Sequence, residues 1–299
     1  MIDVIIPAFN AHKTIRKTLI SIEMQSLANN INVYIIDDAS EEDYEYLKDI
    51  FKNTLNINII RNNKNLGPGI SRQKALDNSN SEYIVFIDAD DVFYDIYSIE
   101  NLYNNIGKSD TIWGVVLEQE SENEFTFARA RDTYLHGKMY RRSFIEKNNL
   151  KFCNSRNHED NAFNVLYESC ANDIKIIENP VYVYTKNETS ITHNTSDSET
   201  IRSFINVYEW LLKEEIKRKI DNEIIATHIY VVILYVYFNY FKIKKDEDVD
   251  FVFKELKPIV ELYNKYDILD EYTKISIHND LNMDIIPSMS VEEFLKNIE

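Results

Sequence analysis

The first ninety residues alternate between short apolar runs and helix-like segments, and this alternation strongly limits the possible fold. The apolar runs have the length of buried β-strands and lie at 4–6, 33–36, 57–60 and 83–87. Between the first two runs, Ile15, Leu19 and Ile22 recur at helical spacing. Strands that alternate with helices form a mostly parallel sheet with right-handed crossovers. The sequence therefore predicts an α/β fold with a Rossmann-like sheet flanked by helices.

The pattern changes beyond residue 110. Segments 111–118 and 124–131 are typical of paired strands, 159–170 of a helix, and 174–184 of an extended strand. Residues 187–198 form a polar stretch, which we expect to be a mobile loop, and the remainder has helical periodicity. We predict a domain over 1–198, with halves of about 1–110 and 111–198, and a mainly α-helical C-terminal domain over 199–299.

Composition excludes several classes of protein. The chain carries 33 Lys and Arg against 50 Asp and Glu, a formal net charge of −17, which disfavours a duplex nucleic-acid partner. Its two cysteines, Cys153 and Cys170, form neither a disulfide framework nor a thiolate metal cluster. No basic segment precedes an apolar one at the N-terminus, and the apolar stretch 229–241 is too short to span a bilayer. We predict a cytoplasmic location.

Acidic residues follow two of the predicted strands. Asp37 and Asp38 come after the second strand, and Asp88 and Asp90 come after the fourth. In an open parallel sheet, ligands bind beyond the carboxyl ends of the strands. An isolated acidic pair is usually a solvated turn, but here the pair directly follows a buried strand. Acids beside a phosphate require a cation between them, so the sequence predicts Mn²⁺ or Mg²⁺.

A glycine-containing segment, 65–72, leads into the third helix. Such a segment can present backbone N–H groups, and here Arg72, to a phosphate. A Gly-Pro-Gly turn before a helix needs no ligand, however. The segment matches neither the dinucleotide fingerprint nor the Walker A loop.

Several short motifs, taken in order, resemble family 2 glycosyltransferases of the GT-A fold. They are Pro7-Ala8-Phe9-Asn10, Ile36-Asp37-Asp38-Ala39-Ser40, Asn65-Leu66-Gly67 with Ser71-Arg72, Ile87-Asp88-Ala89-Asp90-Asp91, the segment 136–144 and the segment 158–163. The resemblance covers about residues 1–195. It implies a GT-A catalytic domain with a nucleotide-sugar half followed by an acceptor half.

The resemblance also implies roles for individual residues. Asp38 would hydrogen-bond a uracil-type base, and Asp90 would bind the metal. Independently of the resemblance, the imidazole of His193 in the polar loop is a candidate to complete the metal shell or to touch the diphosphate. The alternative for His193 is that it is an exposed loop histidine without a functional role. The implied nucleotide-sugar contacts are Pro7, Ala8, Phe9, Asn10, Asp38, Gly67, Arg72, Asp88 and Ala89. Lys138 is a further candidate, for contact with the donor phosphates, and its alternative is a solvated lysine.

Two neighbouring carboxylates compete for the role of general base. The resemblance implies that Asp160 takes the proton of the acceptor hydroxyl in an inverting single displacement, with Glu159 as its rival. Glu159 alternatively serves as a helix N-terminal carboxylate. The Gln-x-x-Arg-Trp signature of processive family members is absent, since Val207-Tyr208-Glu209 precedes Trp210. We therefore expect transfer of one sugar, from a UDP-sugar, to a hydroxyl of a glycan, glycolipid, polymer or protein.

Other functions remain open at this stage. A sugar-phosphate nucleotidyltransferase would need a glycine-rich basic loop after the first strand, where 9–13 reads Phe-Asn-Ala-His-Lys. A receiver-type signalling domain would be much shorter and would carry its acidic pair after the first strand. A non-catalytic nucleotide-sugar-binding protein is the third alternative. The aromatic-rich tail suits homo-oligomer formation or peripheral contact with the inner face of the membrane.

Overall fold

The computed structural model describes residues 1–121, 124–128, 134–185, 197–241, 246–281 and 288–298. The chain divides into two compact units, Met1–Ser190 and Ile191–Glu299. The domain boundary expected after residue 198 stays a prediction. The functional roles assigned to the domains remain predictions.

The first unit begins with the predicted parallel sheet. Its strands are β1 (Ile2–Ala8), β2 (Ile31–Asp37), β3 (Asn56–Arg61) and β4 (Tyr83–Phe86). The intervening helices are α1 (Ile15–Glu23), α2 (Tyr46–Phe51) and α3 (Pro68–Asn78). The strands lie in the order β3-β2-β1-β4, and each neighbouring pair is parallel. The α/β fold predicted from the alternating pattern is thereby confirmed.

The same sheet continues through the second half of this unit. Its further elements are β5 (Val92–Phe93), α4 (Ser98–Ile106), β6 (Thr111–Ser121), β7 (Glu124–Ala128), β8 (Lys138–Arg141), α5 (Arg142–Lys147), α6 (Glu159–Cys170) and β9 (Ile174–Thr185). Beyond β4 the order is β8-β6-β9-β5, and β7 pairs with β6 as predicted. The sequence pattern did not reveal β8, which is antiparallel to both β4 and β6.

The strand directions bring distant segments to one edge of the sheet. Because β8 runs opposite to β4 and β6, and β9 runs parallel to β6, β9 points the same way as β4. The carboxyl ends of β1, β2, β4 and β9 and the start of β8 therefore share one edge. The apolar face of α1, formed by Ile15, Leu19 and Ile22, packs into the buried core beside this sheet.

The second unit is helical. Its helices are α7 (Asp197–Arg218), α8 (Asn222–Tyr240), α9 (Asp246–Tyr266), α10 (Glu271–Asp280) and α11 (Val291–Lys296). Among the described helices, only α8 is long and apolar enough to cross a membrane, and 61% of its apolar window is buried. Contacts within the unit cover it, including Tyr235 stacked on Phe204 and Tyr237 edge-on to Phe294. The sequence had suggested only a shorter apolar stretch here.

Candidate active site

The acidic turn after β4 lies at the shared edge of the sheet. Asp88 is partly exposed, Asp90 is half-buried and Asp91 is 1% exposed. The Asp91 carboxylate accepts hydrogen bonds from the Tyr182 hydroxyl at 2.5 Å and the Thr185 backbone N–H at 2.7 Å. Burial, then the nearby Asp88 and Asp90, raises the pKa of Asp91 well above its usual value. The turn is thus anchored to β9 through a buried carboxylate.

Arg72 on α3 connects this turn to α6. Its guanidinium lies 2.7 Å from Asp88 Oδ1 and 2.6 Å from Glu159 Oε1. Burial opposes the charged form of Arg72, but Asp88, Glu159 and Asp160 outweigh that effect and raise its pKa. Burial raises the pKa of Asp88 less than Arg72 and His136 lower it, so its pKa falls below the usual value. Asp88 therefore stays ionised at neutral pH.

The close approach of α3 to α6 depends on a glycine. A Cβ on Gly69 would lie 2.5 Å from Glu159 Cγ and 3.1 Å from the Cys153 carbonyl oxygen. A side chain at this position would push Glu159 away from Arg72. His158, the residue before α6, has a φ of 62°, a conformation that non-glycine residues seldom adopt outside functional or turn positions.

The two carboxylates at the start of α6 have different surroundings. Glu159 is 3% exposed and bonded to Arg72. Burial, then Asp160, raises the pKa of Glu159, although Arg72 opposes the shift. Asp160 is half-buried, and its side chain makes no hydrogen bond or ion pair with the described residues. It nevertheless lies close enough to interact electrostatically with Arg72 and His136.

His136, just before β8, completes a group suited to a cation. Its Nε2 lies 3.2 Å from Asp88 Oδ2 but makes no hydrogen bond within the described residues, although the residue is only 8% exposed. Burial lowers the pKa of His136, which favours the neutral imidazole that metals bind. Ligand atoms of Asp88, Asp91 and His136 all lie within 4.8 Å of one another. The carboxylate oxygens suit Mn²⁺ or Mg²⁺, whereas the imidazole nitrogen is a donor for transition metals, so the mixed set fits Mn²⁺ better than Mg²⁺.

Asp38 is placed at the end of β2 as the sequence suggested, and it is 3% exposed. Its carboxylate accepts hydrogen bonds from Asn62 Nδ2 at 2.8 Å, Leu66 N at 2.8 Å and Gly67 N at 2.7 Å. Gly67 adopts a φ of 91°, which glycine tolerates best. Asp38 thus shapes the segment that leads into α3, and its predicted contact with a base remains a prediction.

The end of β1 is partly open to solvent. Pro7 is half-buried and Ala8 buried, whereas Phe9 is 49% exposed. Asn10, with a φ of 51°, donates its N–H to Ser40 Oγ at 2.9 Å. These residues lie at the same edge as Asp88, which is compatible with the predicted wall of a nucleotide pocket.

The structure bears in different ways on the roles predicted for Lys138, Asp90 and His193. Lys138 is fully buried, with its Nζ 3.8 Å from the centroid of the Trp113 ring and 3.6 Å from a Glu168 oxygen. This inward placement, on a strand that the sequence pattern did not reveal, disfavours the predicted contact with donor phosphates. Asp90 does not belong to the group of possible cation ligands found among the described residues, in which Asp91 and His136 accompany Asp88. His193 lies outside the described residues.

Sequence reasoning also missed Tyr182 and Asp91, and it did not assign His136 to a cation. Tyr182, on β9, contacts both Asp88 and Asp91, and Asp91 itself was not selected. Asp91 follows Asp90 directly, so the sequence did contain a signal for it. No local pattern indicates Tyr182, because its partners are about ninety residues away and meet it only through the sheet order.

Comparison with known proteins provides the family. The Glycosyl transferase family 2 profile matches residues 3–158. TarS of Staphylococcus aureus, a poly(ribitol-phosphate) beta-N-acetylglucosaminyltransferase, is 26% identical over 209 residues, covering 62% of this chain and 36% of TarS. TarP of the same species, which has the same enzyme name, is 29% identical over 187 residues, covering 56% of this chain and 57% of TarP. The chain thus spans between about a third and somewhat over half of these relatives.

Solved structures agree in fold. The crystal structure of S. aureus TarS 1-349 in complex with UDP-GlcNAc matches with a TM-score of 0.73 at 18% identity, covering 99% of this chain and 91% of that one. The mannosyltransferase PcManGT from Pyrobaculum calidifontis, in complex with GDP-Man and Mn²⁺, matches with a TM-score of 0.52 at 13% identity, covering 99% and 78%. The profile match covers more than half of the sequence, and the predicted GT-A fold is confirmed. The chain belongs to glycosyl transferase family 2.

Proposed function

We propose that this glycosyltransferase transfers a single sugar from a UDP-sugar to a hydroxyl acceptor, with inversion at the anomeric carbon. The observation that carries the proposal is the contrast between Glu159 and Asp160. Arg72 engages Glu159, whereas the Asp160 side chain makes no hydrogen bond or ion pair with the described residues. One carboxylate therefore organises the site, and its neighbour is available to accept a proton.

Asp160 acts as the general base in this proposal. Its carboxylate takes the proton of the acceptor hydroxyl as the hydroxyl oxygen attacks the anomeric carbon, and the bond to the nucleoside diphosphate breaks. Glu159 is unsuited to this role because its carboxylate is buried and bonded to Arg72. Freeing it would leave the buried Arg72 with one partner fewer, which is energetically costly.

A divalent cation suits the acidic side of the site. Asp88, Asp91 and His136 would hold it, and the buried Nε2 of His136, which faces Asp88 Oδ2 at 3.2 Å without a hydrogen bond to the described residues, supports this assignment. When bound, the cation neutralises charge on the departing diphosphate. Mn²⁺ is the first ion to test, because a structurally similar mannosyltransferase was solved with GDP-Man and Mn²⁺.

The donor is proposed to be a UDP-sugar, with UDP-GlcNAc as the first candidate. The likeness to TarS, solved with UDP-GlcNAc, supports this choice. The uracil base would lie near Asp38 and the segment from Pro7 to Asn10, and Arg72 would act beside the diphosphate through Asp88 rather than through a direct contact.

The acceptor is proposed to be a hydroxyl of a phosphate-linked polyol polymer. The names of TarS and TarP support this class, and so does a 35% match over 98 residues to the minor teichoic acid biosynthesis protein GgaA of Bacillus subtilis. That match covers only 31% of this chain and 22% of GgaA. Because this match is short, the polyol-phosphate acceptor is tested in one panel with simple polyols and glycans.

Kinetics of Asp160→Asn, Glu159→Gln and one surface control test the function. With UDP-GlcNAc, Mn²⁺ and a panel of polyol-phosphate, glycan and polyol acceptors, Asp160→Asn should lower kcat by roughly 10²-fold or more. UDP affinity should change little, because the proposed base lies on the acceptor side. Lys151→Gln, at an exposed position between α5 and α6, is the matched surface control and should retain wild-type turnover.

Two results would contradict the proposal. A larger loss of kcat in Glu159→Gln than in Asp160→Asn, with both proteins folded, would reverse the assignment of the base. NMR of the product showing retained anomeric configuration would exclude single displacement. Failure with UDP-GlcNAc but turnover with another UDP-sugar would change only the donor.

A further inference from the structure

Tyr182 lies inside the candidate site, yet it has no role in the proposed reaction. The residue is fully buried on β9. Its hydroxyl accepts a hydrogen bond from the backbone N–H of Asp88 at 3.3 Å and donates one to Asp91 Oδ2 at 2.5 Å. A single hydroxyl therefore bridges the first and last acidic residues of the turn after β4.

The ring of Tyr182 makes a second, independent contact. It stacks on His136 with ring centroids 4.9 Å apart and an interplanar angle of 10°. Because His136 precedes β8 and Asp88 follows β4, the tyrosine touches both sides of the cation-binding group. Its hydroxyl holds the Asp91 carboxylate and the Asp88 backbone N–H, and its ring holds the plane of the imidazole.

Two further bonds hold the same turn. The backbone N–H of Thr185 donates to Asp91 Oδ1 at 2.7 Å, and the Thr18 hydroxyl on α1 donates to the Asp91 carbonyl oxygen at 2.8 Å. With Tyr182, these bonds fasten the turn to β9 and α1. Such outer partners orient metal ligands, and their loss typically lowers metal affinity by about 10- to 100-fold.

We propose that Tyr182 is a positioning residue that places Asp88, Asp91 and His136 where they can share one divalent cation. The inference rests on the proposed metal site and adds to it a residue that neither binds the cation nor touches the substrate. The hydroxyl and the ring make separable contributions. Tyr182→Phe removes the bridge and retains the stacking, whereas Tyr182→Leu removes both.

A Mn²⁺-binding experiment separates this role from general stabilisation. Free Mn²⁺ is measured by electron paramagnetic resonance in the presence of UDP, for wild type, Tyr182→Phe and Tyr182→Leu. The control is Tyr167→Phe, which removes another buried hydroxyl, bonded at 2.6 Å to the Asp110 carbonyl oxygen. Tyr182→Phe should weaken Mn²⁺ binding about tenfold or more. Tyr182→Leu should weaken it further, and Tyr167→Phe should stay within about twofold of wild type.

The outcomes are distinguishable. If wild type binds Mn²⁺ and Tyr182→Phe binds it as tightly as Tyr167→Phe does, the inference is overturned. If wild type itself binds no Mn²⁺, the proposed metal site fails first and the inference falls with it. Should Tyr182→Phe not fold by near-UV circular dichroism, Thr18→Val decides, because it loosens the same turn from α1. Wild-type Mn²⁺ affinity in Thr18→Val would then overturn the inference, and weaker binding would support it.

Discussion

Arg72 and Glu159 form a buried ion pair that joins the start of α3 to the start of α6. Their nitrogen and oxygen atoms lie 2.6 Å apart, and their side chains are 5% and 4% exposed. The pair connects α3, which belongs to the part of the sheet that carries Asp38 and Asp88, to α6, which carries Asp160. Packing and the proposed chemistry thus depend on the same guanidinium.

Removal of Arg72 should destabilise the fold. Arg72→Met leaves Asp88 and Glu159 without their common cation, and breaking a buried pair costs about 3–5 kcal/mol. Lys48→Met is the control, because it removes a solvent-exposed pair with Glu45 worth about 1 kcal/mol or less. Urea unfolding measures both free energies. Equal costs for the two variants would show that the buried pair contributes no special stability.

The metal assignment predicts three further results. EDTA should abolish transfer, and added Mn²⁺ should restore it. Asp90→Asn should nearly abolish transfer if the sequence-based assignment is right, and His136→Gln should weaken Mn²⁺ binding about tenfold if the structural group is right. Transfer assays and Mn²⁺ titrations on the same preparations check both. Full activity in EDTA would exclude a role for the cation.

The sequence predicts more of the fold than of the candidate site. Local periodicity identifies β1 to β4 and the acids that follow them, because each signal lies within one segment. It does not identify β8, a four-residue strand whose position depends on pairing with β4 and β6. That omission explains Lys138, which resembles a phosphate-binding lysine in sequence but lies buried against Trp113.

The central contacts of the site join residues that are far apart in the sequence. Arg72 and Glu159 are 87 positions apart, and Tyr182 and Asp91 are 91 apart. Their charges and their places in the ordered motifs identify Arg72 and Glu159 as candidate site residues. Only the three-dimensional packing shows that the two side chains pair. Tyr182 has no local signal, since buried tyrosines are common in cores and its partners are set by the strand order.

The thiol of Cys153 should be inert in the folded protein. Burial, then Glu159, raises its pKa to about 12, whereas Cys170 is half-buried. Iodoacetamide at pH 8 should therefore modify Cys170 first and Cys153 only after unfolding, as read by mass spectrometry of the peptides. Rapid modification of native Cys153 would contradict this. Faster modification in Arg72→Met would report loosening between α3 and α6.

The same group adds a pH dependence to stability. A pKa raised in the folded state means that folding favours the protonated thiol, so its contribution is present below the ordinary value of 9.0. That contribution declines as pH rises from about 9 towards 12. Denaturation between pH 8 and 10 should show a smaller decline for Cys153→Ala than for wild type. Identical pH profiles would refute the assignment.

The last prediction concerns the helical unit. Every described residue assigned to the candidate site lies between Pro7 and Thr185, before α7 begins. A chain ending at Ser198 should therefore bind UDP with Mn²⁺ as the whole chain does, and if the helices dock the acceptor or join copies of the chain, it should lose transfer or self-association. Calorimetry, transfer assays and light scattering on both forms check this. A monomeric short form with unaltered transfer and an unaltered oligomeric state would refute the docking and assembly roles. A short form that is insoluble would show instead that the helices complete the core of the first unit.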